Sequence, residues 1–349
     1  MDSSIVRIDG SVGEGGGQIL RTAMMLSTLT GRGIVMDNIR TKRPNPGLRP
    51  QHLAALKVFA IVTSGQLAGA EVGSTAVRFI PGDSKSGEVT VDVGTAGSIT
   101  LILSALVPAL SLTGRDMTIR IRGGTDTKWS PTLDYFHEVA GPLFRSFGVN
   151  FSLHEIRRGY YPAGGGEVLI EVHHGSTVNP LNCVRRGSVN VMVKSVCSNL
   201  PKHVAERQAR SAERLLEGHG IKVTKSSAVE EPAISPGSAI CVYAEGVDRP
   251  VFIGGDAVGE RGVKAEEVGE KSAHHFLSCY ESGAALDVHC ADMAVPLMCL
   301  ARGESEIGFT EMTGHIESNI YVTELFFGKR FVREKDGGIE VLRTITSSL

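Results

Sequence analysis

The sequence predicts an α/β (α+β) protein in which three repeated β-α-β-α-β-β units form a core domain and a smaller α/β domain is inserted late in the chain. Three observations carry that expectation. Apolar residues switch along the chain between strand-like alternation and helix-like spacing. The same order of elements returns, and two small-residue turns, Glu14-Gly15-Gly16-Gly17 and Thr95-Ala96-Gly97-Ser98, each open an apolar helix about 80 residues apart.

The first unit reads as a strand over 4–9, a helix over 18–30, a strand over 33–38, a helix over 50–64 and one or two strands within 69–80. Pro50 suits the start of that second helix, where a missing N–H removes no hydrogen bond. The second unit repeats the order with a strand over 88–93, a helix over 97–112, a strand over 117–122, a helix over 131–147 with Pro131 in its first turn, and strands over 148–155 and 166–173. The third begins late, with a helix over 288–301, a strand over 305–310, a helix over 317–327 and a closing pair around 330–344. Between them the order differs: a strand over 188–197, a charged helix over 203–218, strands near 220–226, 238–246 and 249–254, and a helix over 265–281. The expected division is a core of 1–184 plus 281–349 and an inserted domain of 185–280.

Composition narrows the function classes. Apolar residues make up 42% of 349, enough to bury sizeable cores, and a formal charge of −2 gives no general attraction to polyanions. Any phosphate must therefore be met by a local basic patch. Glycine, at 42 residues, is in excess without a collagen period and marks turns and close backbone approaches. The six cysteines show no CxxC pairing and read as reduced core residues of a cytosolic protein. No apolar run is long enough to span a bilayer and the first residues lack a basic leader, so neither export nor a membrane is expected.

Three clusters carry chemistry. In Gly13-Glu14-Gly15-Gly16-Gly17-Gln18-Ile19-Leu20-Arg21, glycines admit an anion close to the backbone and the following helix offers unpaired N–H groups. A plain glycine-rich strand-to-helix turn fits the segment equally well. The second cluster, Arg40 to His52, places Arg40, Lys42, Arg43 and Arg49 in a stiff Pro/Gly loop before a helix. In a β-α-β unit, loops at the same strand ends lie together, so Arg21, Arg40 and Arg43 are expected to converge on one anion. The third cluster contains His315, preceded by glycine at a strand-to-helix junction; base, metal ligand and phosphoryl-accepting nucleophile are all open to it.

Six segments in order then resemble the RNA 3′-terminal phosphate cyclase family: 13–21, 43–52, Gly123-Gly124-Thr125-Asp126, Tyr161-Pro162-Ala163-Gly164-Gly165-Gly166, His203-Val204-Ala205-Glu206-Arg207 and His315-Ile316-Glu317-Ser318-Asn319-Ile320. The resemblance covers essentially the whole chain. It implies ATP-dependent conversion of an RNA 3′-phosphate into a 2′,3′-cyclic phosphodiester, through a covalent histidine–AMP intermediate on His315 and an RNA adenylate, with release of AMP and pyrophosphate. It further implies Glu14 as a ligand of a divalent ion, Mg or Mn, and Arg21, Arg40, Arg43 and Gln51 as contacts to phosphate and RNA. His289 and Pro131 would sandwich adenine, with Phe252 completing the pocket and Asp292 at its edge. Ser104 and Met293 stand where bacterial relatives carry glutamine, which removes two amide contacts to the nucleotide.

The expected partners are ATP and RNA with a 3′-phosphate end, and the expected compartment is the cytoplasm, or the nucleus for a eukaryotic source. The competing class is a catalytically inactive cyclase-like scaffold in ribosome assembly, which is expected to lack the nucleophile that this chain keeps at His315.

Overall fold

The computed structural model describes residues 5–83, 86–94, 96–114, 116–175 and 177–345. Ser4 of the first predicted strand and Thr95 of the second predicted turn lie outside them. The first unit runs β1 (Ile5–Asp9), α1 (Gly17–Thr30), β2 (Gly33–Asp37), α2 (Pro50–Thr63), β3 (Gln66–Ala68) and β4 (Val77–Ile80). Its sheet has the order β1-β2-β4-β3, with β1 and β2 parallel and the other pairs antiparallel. A parallel pair needs a long crossover, which α1 supplies.

The second unit runs β5 (Gly87–Asp92), α3 (Ile99–Leu112), β6 (Met117–Gly123), a helix α4, β7 (Asn150–Arg157) and β8 (Gly166–His173), and its sheet repeats the order as β5-β6-β8-β7. α4 is two α-helical stretches, Leu133–Tyr135 and Gly141–Ser146, joined by a π-helical turn over Phe136–Ala140. The wide turn precedes Pro142, which has no N–H for the carbonyl four residues back.

The third sheet departs from expectation at its start. Its first strand, β9 (Asn182–Cys183), comes before the intervening segment and pairs in parallel with a strand more than a hundred residues later. Two residues are too few to show alternation, so no periodicity signal marked them. The intervening segment is β10 (Val189–Ser198), α5 (His203–Gly218), β11 (Val223–Glu230), β12 (Gly237–Gly246), β13 (Gly254–Val258) and α6 (Ala265–Tyr280), with its own sheet in the order β11-β10-β12-β13. The chain then gives α7 (Val288–Leu300), β14 (Glu306–Phe309), α8 (Gly314–Phe327), β15 (Phe331–Asp336) and β16 (Ile339–Thr344). The order β9-β14-β16-β15 is once more first, second, fourth, third.

Other boundaries moved as well: β3 falls wholly before the expected 69–80, and β11 runs to Glu230 against an expected end at 226. The strand expected over 249–254 lies at Gly254–Val258; Val251-Phe252-Ile253 is apolar because it is buried, with the Phe252 backbone bonded to Ala285 and Asp287 and the Ile253 carbonyl accepting the Ala244 N–H of β12. α8 starts at Gly314, three residues before the expected 317, because the Thr313 hydroxyl caps it by accepting the Ile316 N–H at 3.2 Å. The helices meet in the middle: α1 packs on α3 and α8, and α7 on α8. Leu26, Leu103, Leu106, Leu297 and Val322 expose no surface there. Among the described residues no helix is long and apolar enough to cross a membrane, and all six cysteines are free.

One ionic knot ties the second unit to the intervening segment. Arg158, with 0% of its side chain exposed, reaches Asp126 at 3.2 Å, Asp134 at 3.0 Å, Glu155 at 2.8 Å and Glu231, beyond β11, at 2.5 Å. Lys194 of β10 pairs with Asp134 at 2.6 Å. Burial, set against the pull of Arg158 and joined by the neighbouring Glu231 carboxylate, raises the Glu155 carboxyl above its ordinary value. Arg158→Met strands buried carboxylates without their cation and is expected to cost about 3–5 kcal/mol in urea denaturation. A loss below about 1 kcal/mol would show that the knot does not hold the two parts together.

Candidate active site

The site forms where the glycine turn after β1 meets the first turn of α8. Gly13 has φ of +63°, and a Cβ there would run into Ser318 Oγ and the Gly314 carbonyl. A Cβ on Gly314 would fall 2.6 Å from Glu14 Cγ. Glycine at both positions is therefore what lets the two segments touch. His315 is consequently inside a helix, in its first turn, and not at the strand-to-helix junction that the sequence suggested.

His315 stands between two carboxylates. Its Nε2 is 3.3 Å from Glu14 Oε2 and its Nδ1 is 3.6 Å from Asp292 Oδ2. The longer contact is a charge interaction, not a hydrogen bond. Asp292 is buried and fixed: the Asn319 amide donates to its carboxylate and, at 2.8 Å, to its backbone carbonyl, while the Thr22 hydroxyl donates to Asn319 Oδ1 at 2.6 Å. Glu14 is half-exposed and is gripped by Arg43, whose Nη2 lies 2.8 Å from the carboxylate and whose Nε donates to the Glu14 carbonyl at 3.1 Å. Asp292 foremost, and Glu14 after it, raise the His315 pKa above the ordinary value of 6.5, against burial and the charge of Arg21.

Beside this chain of contacts lies a cluster of cations. His52 is buried, and burial with the charges of Arg21, Arg40 and Arg49 drives its pKa down to about 3. It is neutral at physiological pH and its Nδ1 accepts the Arg49 N–H at 3.0 Å. Burial lowers the Arg21 pKa to about 10, partly offset by Asp292, and burial with repulsion from Arg43 and Arg49 lowers that of Arg40. The buried Arg40 Nε has no hydrogen-bond partner. Mutually repelling guanidinium groups around a neutral imidazole make a seat for an anion. The first turn of α1 adds N–H groups with no side-chain cap and no acidic residue.

A cavity of 460 Å³ opens beside His315. Of the residues singled out in the sequence, Arg21, Ser104, Pro131, His289, Asp292, Met293 and His315 line it. Glu14 and Arg43 lie outside the lining: Glu14 contacts the lining residue His315, and Arg43 contacts Glu14. Gln51 is exposed at the start of α2, outside the lining, as is Arg40. Phe252 is not brought there: it is 4% exposed in the core, with its N–H on the Ala285 carbonyl and its own carbonyl taking the Asp287 N–H. Asp287 in turn caps α7 through the His289 and Cys290 N–H groups, both at 2.9 Å, and holds the Tyr135 hydroxyl. Tyr135 meets the His289 ring edge-on with centroids 6.2 Å apart, which sets the ring at the cavity wall.

Sequence reasoning missed several lining residues. Asn319, four residues after His315 on the same helix, was legible from helical spacing alone. Asp256, Glu260, Lys271 and His275 come from the intervening segment and had no signal, since only the fold brings them to this cavity. Among the described residues no group of three or more His, Cys, Asp or Glu is arranged to hold a metal ion.

The family model of RNA 3′-terminal phosphate cyclase matches residues 12–332. The chain belongs to that family. It is 44% identical over 341 residues to the RNA 3′-terminal phosphate cyclase of Desulfurococcus amylolyticus, covering 96% of this chain and 95% of that protein. It is 42% identical to the proteins of the same name from Pyrobaculum aerophilum, over 95% of this chain and 96% of that one, and Pyrococcus furiosus, over 96% of each.

The raised His315 pKa has a definite sign. Protonated His315 stabilises the fold fully below about pH 6.5, and this contribution is lost as pH rises through the folded value. NMR titration of the His315 ring should show a midpoint above that of an exposed histidine. Asp292→Asn should lower it, and Glu14→Gln should lower it less; an unchanged midpoint in both variants contradicts the assignment of its cause.

Proposed function

We propose that this protein is an RNA 3′-phosphate cyclase, a ligase-class enzyme that spends ATP to turn an RNA 3′-phosphate into a 2′,3′-cyclic phosphodiester. The observation that carries the proposal is His315, with Nδ1 toward buried Asp292 and Nε2 toward the half-exposed Glu14, on the wall of a cavity of nucleotide size. With Glu14 engaged elsewhere, the buried Asp292 facing Nδ1 favours the tautomer with its proton there, which leaves the Nε2 lone pair to attack the α-phosphorus of ATP. The Nε2–P bond forms as the α–β P–O bond breaks, and pyrophosphate leaves. An oxygen of the RNA 3′-phosphate then takes the adenylyl group, breaking the Nε2–P bond. The adjacent ribose 2′-hydroxyl attacks the activated phosphorus and AMP departs, a step favoured because the ribose itself holds the two groups together.

Arg21, Arg40 and Arg43, with Gln51 at the head of α2, are the groups that seat the transferring and accepting phosphates. His289 and Pro131 flank the adenine, with Ser104 and Met293 beside it. Glu14 is the carboxylate available to a magnesium or manganese ion held mainly by ATP phosphates and water, a mode that needs only one or two protein carboxylates. Such an ion would screen phosphate charge and relieve Nε2 of its carboxylate neighbour. Residues 1–184 and 281–349 form the catalytic core and 185–280 the inserted domain, which borders the cavity through Asp256, Lys271 and His275. The cytoplasm, where ATP and RNA ends meet, is the setting.

Incubation with α-labelled ATP and magnesium should label the protein, and His315→Ala should abolish both the label and cyclisation. Arg43→Ala should keep the fold and raise KM for the RNA 3′-phosphate by about ten-fold, the loss of one charge-assisted phosphate contact. Absence of any adduct in the native protein would favour the scaffold, and a label arriving only from the γ-phosphate would favour a kinase.

A further inference from the structure

Trp129, the only tryptophan of the chain, lines the cavity that holds His315 and is 94% exposed. Its backbone is left-handed, with φ of +60°, which a bulky residue adopts rarely and which tends to persist where function retains it. Lys128 beside it lines the same cavity, has its Nζ 5.9 Å from the indole centroid, and pairs with Glu260 across the mouth. Tyr161, 79% exposed, lies in a turn outside the cavity lining, just after Tyr160, whose backbone bridges to Asp126.

We infer that Trp129 is a stacking platform for one of the last two bases of the RNA, with Lys128 facing the adjoining phosphate. The inference rests on the cyclase reading above and adds the part of the substrate that the chemistry does not touch. A mononucleotide fits inside 460 Å³, whereas a polynucleotide whose end reaches His315 must leave through the mouth. Trp129 stands at that mouth. Base-on-aromatic stacking tolerates any sequence, as an enzyme acting on RNA ends requires, and an adjacent cation adds attraction for the backbone. A protein partner would instead need a contiguous apolar patch, and Trp129 is flanked by Thr127, Lys128 and Ser130.

Being the sole tryptophan, Trp129 reports on its own surroundings. Its fluorescence should be quenched by a single-stranded oligoribonucleotide ending in a 3′-phosphate, without ATP, and not by ATP alone. Trp129→Ala should raise KM for that RNA about ten-fold with KM for ATP unchanged, and Trp129→Phe should recover most of the loss. Removing the last two bases from the oligonucleotide should cost the native enzyme a similar factor and cost Trp129→Ala little more. Quenching by ATP alone, an unchanged KM for RNA in Trp129→Ala, or quenching that follows protein concentration without RNA would each overturn the inference. Labelling of the native protein by α-labelled ATP, which needs no RNA, reports separately on the cyclase reading.

Discussion

The site depends on one imidazole held between two carboxylates of unlike setting. Asp292 is buried and locked by Asn319 and Thr22, so it acts as a fixed reference for Nδ1. Glu14 is half-exposed and answers to Arg43, so it can respond to what binds. Together they raise the affinity of His315 for a proton, Asp292 more than Glu14.

That arrangement needs two segments about 300 residues apart to touch, and the glycines are what permit it. Gly13 yields to Ser318 and Gly314 yields to Glu14, so these two small residues do more for the helix-to-turn contact than for an anion cradle. The cation cluster beside them is Arg21, Arg40 and Arg49 around neutral His52, with Arg43 as the link to Glu14. Three sheets of identical strand order place α1, α3, α7 and α8 together in the middle, and the site lies at their ends. The Arg158 knot anchors the intervening segment, whose Asp256, Lys271 and His275 complete the cavity wall.

Much of this was legible in the sequence because long amphipathic helices and glycine-to-helix turns leave local signals. The charged helix over 203–218 is found at those residues, and the start of α2 at Pro50 follows from proline chemistry. What was not legible is non-local. The two-residue strand at 182–183 is defined only by its distant partner, and the apolar run at 251–253 looked like a strand because burial and ladder pairing leave the same composition. At the site, His315 and Arg21 stood out from motif and spacing and line the cavity, as does Asp292, which the family resemblance implied; Phe252, implied by the same resemblance, lies in the core instead. The lining contributed by the intervening segment lay beyond any sequence window.

The central claim is that Nε2 of His315 carries the adenylyl group. Peptide mass mapping of the protein after incubation with ATP and magnesium, under alkaline conditions that preserve a phosphorus–nitrogen bond, tests it most directly. The account predicts AMP on the peptide containing His315 and on no other, and an adduct on a lysine, on His289 or on His52 would contradict it.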